Sequence, residues 1–341
     1  MVVVCLLVGT GLLSACAAGI AQPPLVQKVA GLFASKTPTP TITPTPTRTP
    51  TRTLTLTATP APTRTPTLTA SPTPVVLIGA GDIAECATQY DKITAAMLEQ
   101  YLGATIFTAG DNSDDYVPEF TLKNCFDPAW GRFKDRIHPA MGNHDYNSET
   151  DSPDAYFKYF GAAAGEPGKG WYSYDLGGWH IVMLNSECED VGGCQAGSPQ
   201  EKWLKADLAA HPARCSLAIW HIPRYSAAYA EGLPFLEDFW EDLYKAGTEM
   251  VLNGHYHYYE RFAPMNSEGE PDNAMGIREF IVGTGGAHLE TRGRSCNGNC
   301  QVLDMNTHGL LRLTLHPDSY DWEFIPEPGK TFSDSGSGKC H

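Results

Sequence analysis

No aspartate or glutamate occurs in the first 74 residues of this 341-residue chain. Residues 37–74 are also almost without apolar content and alternate threonine with proline. Such a stretch cannot build a core, and because proline fixes φ and removes a backbone donor, an extended stalk is expected. At 3.1 Å per residue it would reach on the order of 120 Å. An apolar run of membrane-spanning length is missing as well. Val2 to Leu13 falls short of the roughly 20 residues a spanning helix needs.

That run has the length of a signal peptide, although the basic residues that usually precede one are absent. It ends in Leu13-Ser14-Ala15-Cys16. The tetrapeptide is similar to a bacterial lipobox, whose cysteine becomes the lipid-modified first residue of the mature protein. The expected organisation is residues 1–16 as signal peptide, with Cys16 as lipid anchor, then 17–74 as a Thr/Pro-rich stalk and 75–341 as one large folded domain. Cleavage to a soluble secreted form is the alternative. Either way the domain is exported and its contact with a membrane runs through the anchor alone.

Charge divides the same way. Five of the 24 basic residues lie in the first 74 (Lys28, Lys36, Arg48, Arg52, Arg64), leaving the domain 19 against 39 acidic, a formal charge of -20. Such a surface repels nucleic-acid backbones, so no nucleic-acid partner is expected. Besides Cys5 and Cys16, eight cysteines remain, an even number that suggests disulfides in an exported chain. Short spacing favours Cys188 with Cys194 and Cys296 with Cys300. Pairing Cys86 with Cys125 and Cys215 with Cys340 is one way to use the rest, and zinc at Cys296 and Cys300 is a rival.

What the domain does have is an ordered series of polar sets, each placed after an apolar run. VVLIGAG precedes Asp82, ATIFTAG precedes Asp111, IHPAMG precedes Asn143, CSLAIW precedes His221, and MVLNG precedes His255. If the runs are buried strands, every set lies at a carboxyl end, where α/β sheets place ligands. Singly, each Gly-Asp is a turn and each histidine a satisfied polar group. Together they supply carboxylate, imidazole and amide oxygen for two metal ions, including a carboxylate able to bridge.

The series GD, GD, GNHD, H and GHxH resembles the calcineurin-like metallophosphoesterases, especially their bacterial exported branch related to purple acid phosphatases. The likeness continues through WGRFKDR, SYDLGGWHIVMLNS, YERFAP, IREFIVGTGG and SYDWEFIP. It implies one ion held by Asp82, Asp111 and His257, and a second held by Asp111 as bridge with Asn143, His221 and His255. His144 corresponds to the family's catalytic histidine. Asp145 would orient its ring, or else serve as a turn or cap residue. The ions implied are iron, manganese or zinc.

Two departures stand beside these matches. Many relatives carry Asp-x-His at the first motif, where this chain reads Asp82-Ile83-Ala84. Purple enzymes supply a tyrosinate three residues after the second-motif aspartate, and here that position is Asp114, with Tyr116 two further on. The first ion would be completed by Asp114, Tyr116 or water. Downstream of His221 the segment HIPRYSAAYAEG lacks the family's substrate-binding histidines. Arg224 is then the nearest candidate to clamp a phosphate oxygen, its alternative being a salt bridge. Of the other histidines, His288 and His308 would approach a pocket rim, and the rest read as structural.

Helical spacing runs from Asp91 to Leu102, a capping box at Ser198 to Glu201 opens a second helix, and Phe235 to Lys245 reads as a third. Alternation on both sides of Gly177-Gly178 and of His316-Pro317-Asp318 signals two hairpins. The fold class expected is α/β, two packed mixed sheets flanked by helices. The resemblance implies a metallophosphatase acting on small phosphomonoesters, with in-line attack by a hydroxide held at the ions. A phosphodiesterase or nucleotide hydrolase is the runner-up, supported by GDNSD, and a degenerate domain binding phosphate or an envelope partner is the non-enzyme rival.

Overall fold

The computed structural model describes residues 73–115, 117–229, 232–291 and 293–341. The expectations for the signal peptide, Cys16, the stalk and Tyr116 therefore lie outside the described residues.

Three parallel strands open the domain: β1 (Val75–Ala80), β2 (Thr105–Ala109) and β3 (Ile137–Ala140), linked through α1 (Tyr90–Leu98) and α2 (Pro118–Thr121). After α3 (Asp154–Phe160) comes the hairpin of β4 (Tyr172–Leu176) and β5 (Trp179–Met183). Then α4 (Pro199–Ala210), β6 (Cys215–Ile219), α5 (Glu237–Lys245) and β7 (Met250–Asn253) alternate. The chain continues through β8 (Tyr259–Phe262), β9 (Arg278–Val282) and β10 (Cys300–Asp304). It ends with β11 (Gly309–Leu315), β12 (Ser319–Pro326) and β13 (Ser335–Lys339).

These strands form two mixed sheets. One has the order β13-β12-β11-β1-β2-β3 and the other β10-β8-β9-β7-β6-β5-β4. Successive strand residues point to opposite faces, and the second sheet uses both. Ile181, Leu217, Ile219, Met250 and Leu252 join Leu77, Ile106 and Leu313 of the first sheet in one core. Their neighbours Val182, Ala218 and Val251 pack outward against Leu204 of α4 and Phe239 and Trp240 of α5. This is the expected sandwich, and it explains why CSLAI is buried at every position.

Local chemistry behaves largely as the spacing predicts. Gly177 and Gly178 both have positive φ (62° and 93°), the geometry of a two-residue hairpin turn. At α4 the Ser198 hydroxyl accepts from the Glu201 N–H at 3.2 Å, a cap that contributes about 1 kcal/mol. The first helix is shorter than expected. Gln100 and Tyr101 close into turns on Met97 and Leu98, and Leu102 is 80% exposed, so no apolar contact rewards another helical turn.

All four disulfides expected as one possible set are formed: Cys86–Cys125, Cys188–Cys194, Cys215–Cys340 and Cys296–Cys300. The last removes the zinc alternative at that pair. Cys215–Cys340 fastens the start of β6 to the chain's end across 125 residues, worth about 5 kcal/mol in the chain-entropy account.

Two fully buried acids hold the segment after His221. Glu279 accepts the Arg224 and Tyr225 N–H groups, and Glu260 accepts that of Ala227 at 3.0 Å. Burial raises both carboxyls, Glu260 from 4.5 to about 7. An acid raised in the folded state stabilises it fully below the unfolded value, and that contribution is lost as pH climbs through the folded one. The melting temperature should therefore fall as pH rises from 5 toward roughly 8, with Glu260 contributing on the order of 3 kcal/mol. Thermal melts of Glu260→Gln should show a flatter pH dependence than the wild type. An unchanged slope would mean that Glu260 is ionised in the folded protein.

Candidate metal centre

Parallel strands in both sheets end at the same place. Asp82 follows β1, Asp111 follows β2, Asn143 follows β3, His221 follows β6 and His255 follows β7, each within three residues of its strand. Among the described residues, four non-glycines have positive φ, and three are Asp82 (57°), Asp111 (46°) and His255 (71°). Such conformations cost of order 1 kcal/mol or more each and concentrate at functional sites. The motif glycines answer to the same crowding. A Cβ at Gly142 would collide with the Asp111 carboxylate, and one at Gly254 with that of Asp82.

One group of donors faces a common point. His221 Nε2 lies 3.0 Å from Asp111 Oδ2 and 3.1 Å from Asn143 Oδ1. His255 Nδ1 lies 3.1 Å from the same Asn143 oxygen and 3.3 Å from His221 Nε2. The other His221 nitrogen donates to the Ala109 carbonyl at 2.9 Å, which fixes the ring and turns Nε2 inward, where an ion would replace its proton.

A second group adjoins it. His257 Nε2 stands 3.3 Å from Asp82 Oδ1 and 3.8 Å from Asp114 Oδ1, while its Nδ1 donates to the His288 carbonyl at 2.8 Å. Asp82 also accepts the His255 N–H at 2.9 Å. Asp111 lies between the groups: its donors fall within 4.8 Å of those of Asp82 and His221, and also of Asp114 and His144. His144 reaches over the site with its ring about one-third exposed, Nε2 3.9 Å from Asp114 Oδ1, and its backbone N–H donates to Asp111 Oδ1 at 2.8 Å.

The donor set fits metal ions. Three carboxylates, Asp82, Asp111 and Asp114, are gathered with little solvent, and no described lysine or arginine pairs with them. Asp114 Oδ1 is buried without a hydrogen-bond partner. Burial, then the nearby Asp111 carboxylate, pushes Asp114 up to about 9. Burial would raise Asp111 too, but the charge and hydrogen bond of a protonated His221, with His144 beside them, outweigh it and hold Asp111 down at about 2, while Asp111 lifts His221, against its own burial, to about 10. Burial and His221 together press His255 down to about 4, keeping its lone pair available. Carboxylates gathered with imidazoles but without a lysine or arginine are what divalent ions compensate.

Two expectations from the sequence need correction. Asp145 is fully buried and accepts N–H groups from Gly142 (3.0 Å), Asn112 (3.2 Å) and Ser113 (3.1 Å), plus the Asn112 amide at 2.9 Å. All its hydrogen bonds brace the second-motif loop against the GNHD turn, the cap alternative, rather than orienting the His144 ring. Arg224 is 5% exposed, donates to the Leu233 carbonyl at 2.6 Å and lies over the Tyr225 ring. It buttresses its own loop and is not presented as a phosphate clamp. His288 contributes its backbone carbonyl beneath His257, while His308 stacks on Tyr90 at 3.8 Å. The carbonyls of Ala109 and His288 that orient two imidazoles had no signal in the sequence, because backbone atoms carry none.

With strand-end donors in this order, a family model for calcineurin-like phosphoesterases matches residues 75–259. The chain belongs to that family. It is 33% identical over 252 residues to purple acid phosphatase 15 of Arabidopsis thaliana, covering 64% of this chain and 46% of that one. It is 26% identical over 238 residues to an acid phosphatase of Aspergillus ficuum, covering 52% and 39%. This calcineurin-like phosphoesterase thus spans about half, or less, of the length of these two curated relatives. The yellow lupin purple acid phosphatase PPD1 superposes with a TM-score of 0.64 at 19% identity, over 78% of this chain and 53% of that one. GAP50, the anchor in the inner membrane complex of Plasmodium, does so at 0.57 and 17%, over 78% and 88%. At such identities the likeness shows the fold alone, and a fold hosts more than one function.

Proposed function

We propose that the domain hydrolyses small phosphomonoesters with the help of two metal ions. The observation that carries this reading is the placing of Asp111 between two donor groups, one formed with Asn143, His221 and His255, the other with Asp82, Asp114 and His257. These residues would hold iron, manganese or zinc. Bound there, the ions would supply Lewis acidity and lower the pKa of water.

The chain's own residues do the rest. Burial of Asp82 and Asp111 excludes bulk solvent from the donors. Asn112, Ser113 and Gly142, clasped by Asp145, hold the two loops in register so that Asn143 and His144 face Asp111. His144, whose ring is about one-third exposed, would hydrogen-bond a phosphoryl oxygen and deliver a proton from its ring to the departing alkoxide.

Asp114 takes the place of the ligand that Ala84 lacks. Ala84 bridges to Ser113, and its carbonyl accepts the Asp114 N–H at 2.8 Å, which steers that carboxylate toward His257. A carboxylate gives no phenolate-to-iron charge transfer. Iron-loaded protein is therefore expected to lack a purple absorption band, and Asp114→Asn to weaken one ion while sparing the other, read by absorption spectroscopy and metal analysis. A strong visible band that disappears in Tyr116→Phe would overturn the assignment.

The Leu13 to Cys16 motif supports export of this domain with a lipid anchor on Cys16. Substrate class is tested by assaying phosphomonoesters, phosphodiesters and nucleotides after loading with each metal separately. Turnover of monoesters above diesters is expected, and the reverse preference would make the domain a phosphodiesterase.

A further inference from the structure

The opposite end of the second sheet carries a second cluster with metal-ligand chemistry. His180 is the second residue of β5 and pairs in register with Ser216 on β6, five residues before His221. At a rise of 3.3 Å per residue the cluster lies roughly 16 Å from the phosphoesterase site. It joins His180 to Asp207 and His211, four residues apart on one side of the α4 C-terminus.

Its hydrogen bonds follow the order of a carboxylate-histidine-metal relay. Asp175, directly across the hairpin from His180, accepts from His180 Nδ1 at 2.9 Å, which places a proton there. Neutral His180 then turns its Nε2 lone pair toward Asp207 Oδ2, 2.8 Å away. Two acceptors at that separation require either a second proton on the ring or a cation coordinated by both. Asp207 Oδ1 is held by the Ser173 hydroxyl at 2.8 Å and stands 3.2 Å from His211 Nδ1, which also lies 3.0 Å from the Asp207 backbone carbonyl and would exchange that contact for an ion. His180 and Asp207 are almost fully buried, whereas His211 is about half exposed and its ring stacks on His180 at 4.8 Å. A surface depression of about 460 Å³, lined by His180 and His211, connects the group to solvent.

We infer that His180, Asp207 and His211 form a structural site for a divalent zinc-class ion, with Asp175 as the carboxylate behind His180. Two imidazoles and one carboxylate are a borderline-soft, N/O donor set of the kind that suits zinc, with water as the fourth ligand. The ion would clamp the β4–β5 hairpin to the end of α4 and takes no part in hydrolysis.

Zinc titration with metal analysis of the full-length protein, stripped and reloaded, tests this. His211 is exposed enough that His211→Ala should fold normally, and it should hold one zinc fewer than the wild type or bind that zinc at least about tenfold more weakly. Asp207→Asn should do the same, and the extra zinc should persist in Asp111→Asn, which separates this site from the phosphoesterase centre. Equal zinc content and equal affinity in His211→Ala and the wild type would overturn the site, leaving His180 as a hydrogen-bonding partner of Asp175 and Asp207.

Discussion

Asp111→Asn is expected to lose at least one of the two ions proposed for the phosphoesterase centre and nearly all turnover. An amide offers one neutral oxygen where the carboxylate offers two anionic ones, so it cannot serve both donor groups that flank it in the structure. The effect should exceed the roughly 10²–10³-fold lost with a single oxyanion donor, because it removes electrostatic stabilisation and the source of the nucleophile together. Metal analysis and hydrolysis rates on the same sample check it. Full occupancy with normal rates would show that Asp111 does not bridge. The fold should survive the change, since Asp111 differs from asparagine by charge rather than volume.

His144→Ala should part binding from chemistry. The ring is the most exposed of the site's imidazoles that face Asp114, and its Nε2 stands 3.9 Å from Asp114. Metal content should stay at the wild-type level while kcat falls about 10²–10⁴-fold, the usual share of a positioned acid. The loss should be greatest for esters with poor leaving groups, because those need the proton most. Intact kcat would remove His144 from the chemistry and leave the metal assignment standing.

How far the sequence carried this account differs from place to place. VVLIGA, TIFTA, CSLAI and MVLN are buried strands whose carboxyl ends converge, so their order alone put the donors on one edge. Gly177-Gly178 and Ser198-Pro199 were legible for the same reason: the chemistry that sets each element is local. Leu102 shows the limit, since its apolar character fits a helical stripe that has nothing to pack on. Asp145 shows another. A carboxylate beside a histidine suggests a ring partner, but its acceptors are claimed by N–H groups contributed from a loop some thirty residues away. Arg224 was misplaced because burial of Glu279 and of its own loop is a tertiary property. Asp114 was a bare possibility in the sequence, and only the pairing of Ala84 with Ser113 gives it a direction.

The most direct test of the central claim is the hydrolysis rate of a simple phosphomonoester by metal-stripped protein as iron, manganese or zinc is returned. The account predicts no turnover in the stripped protein and recovery that lags until both donor groups at Asp111 are filled. Hydrolysis undiminished by stripping, or none restored at any loading by any of the three metals, would contradict it.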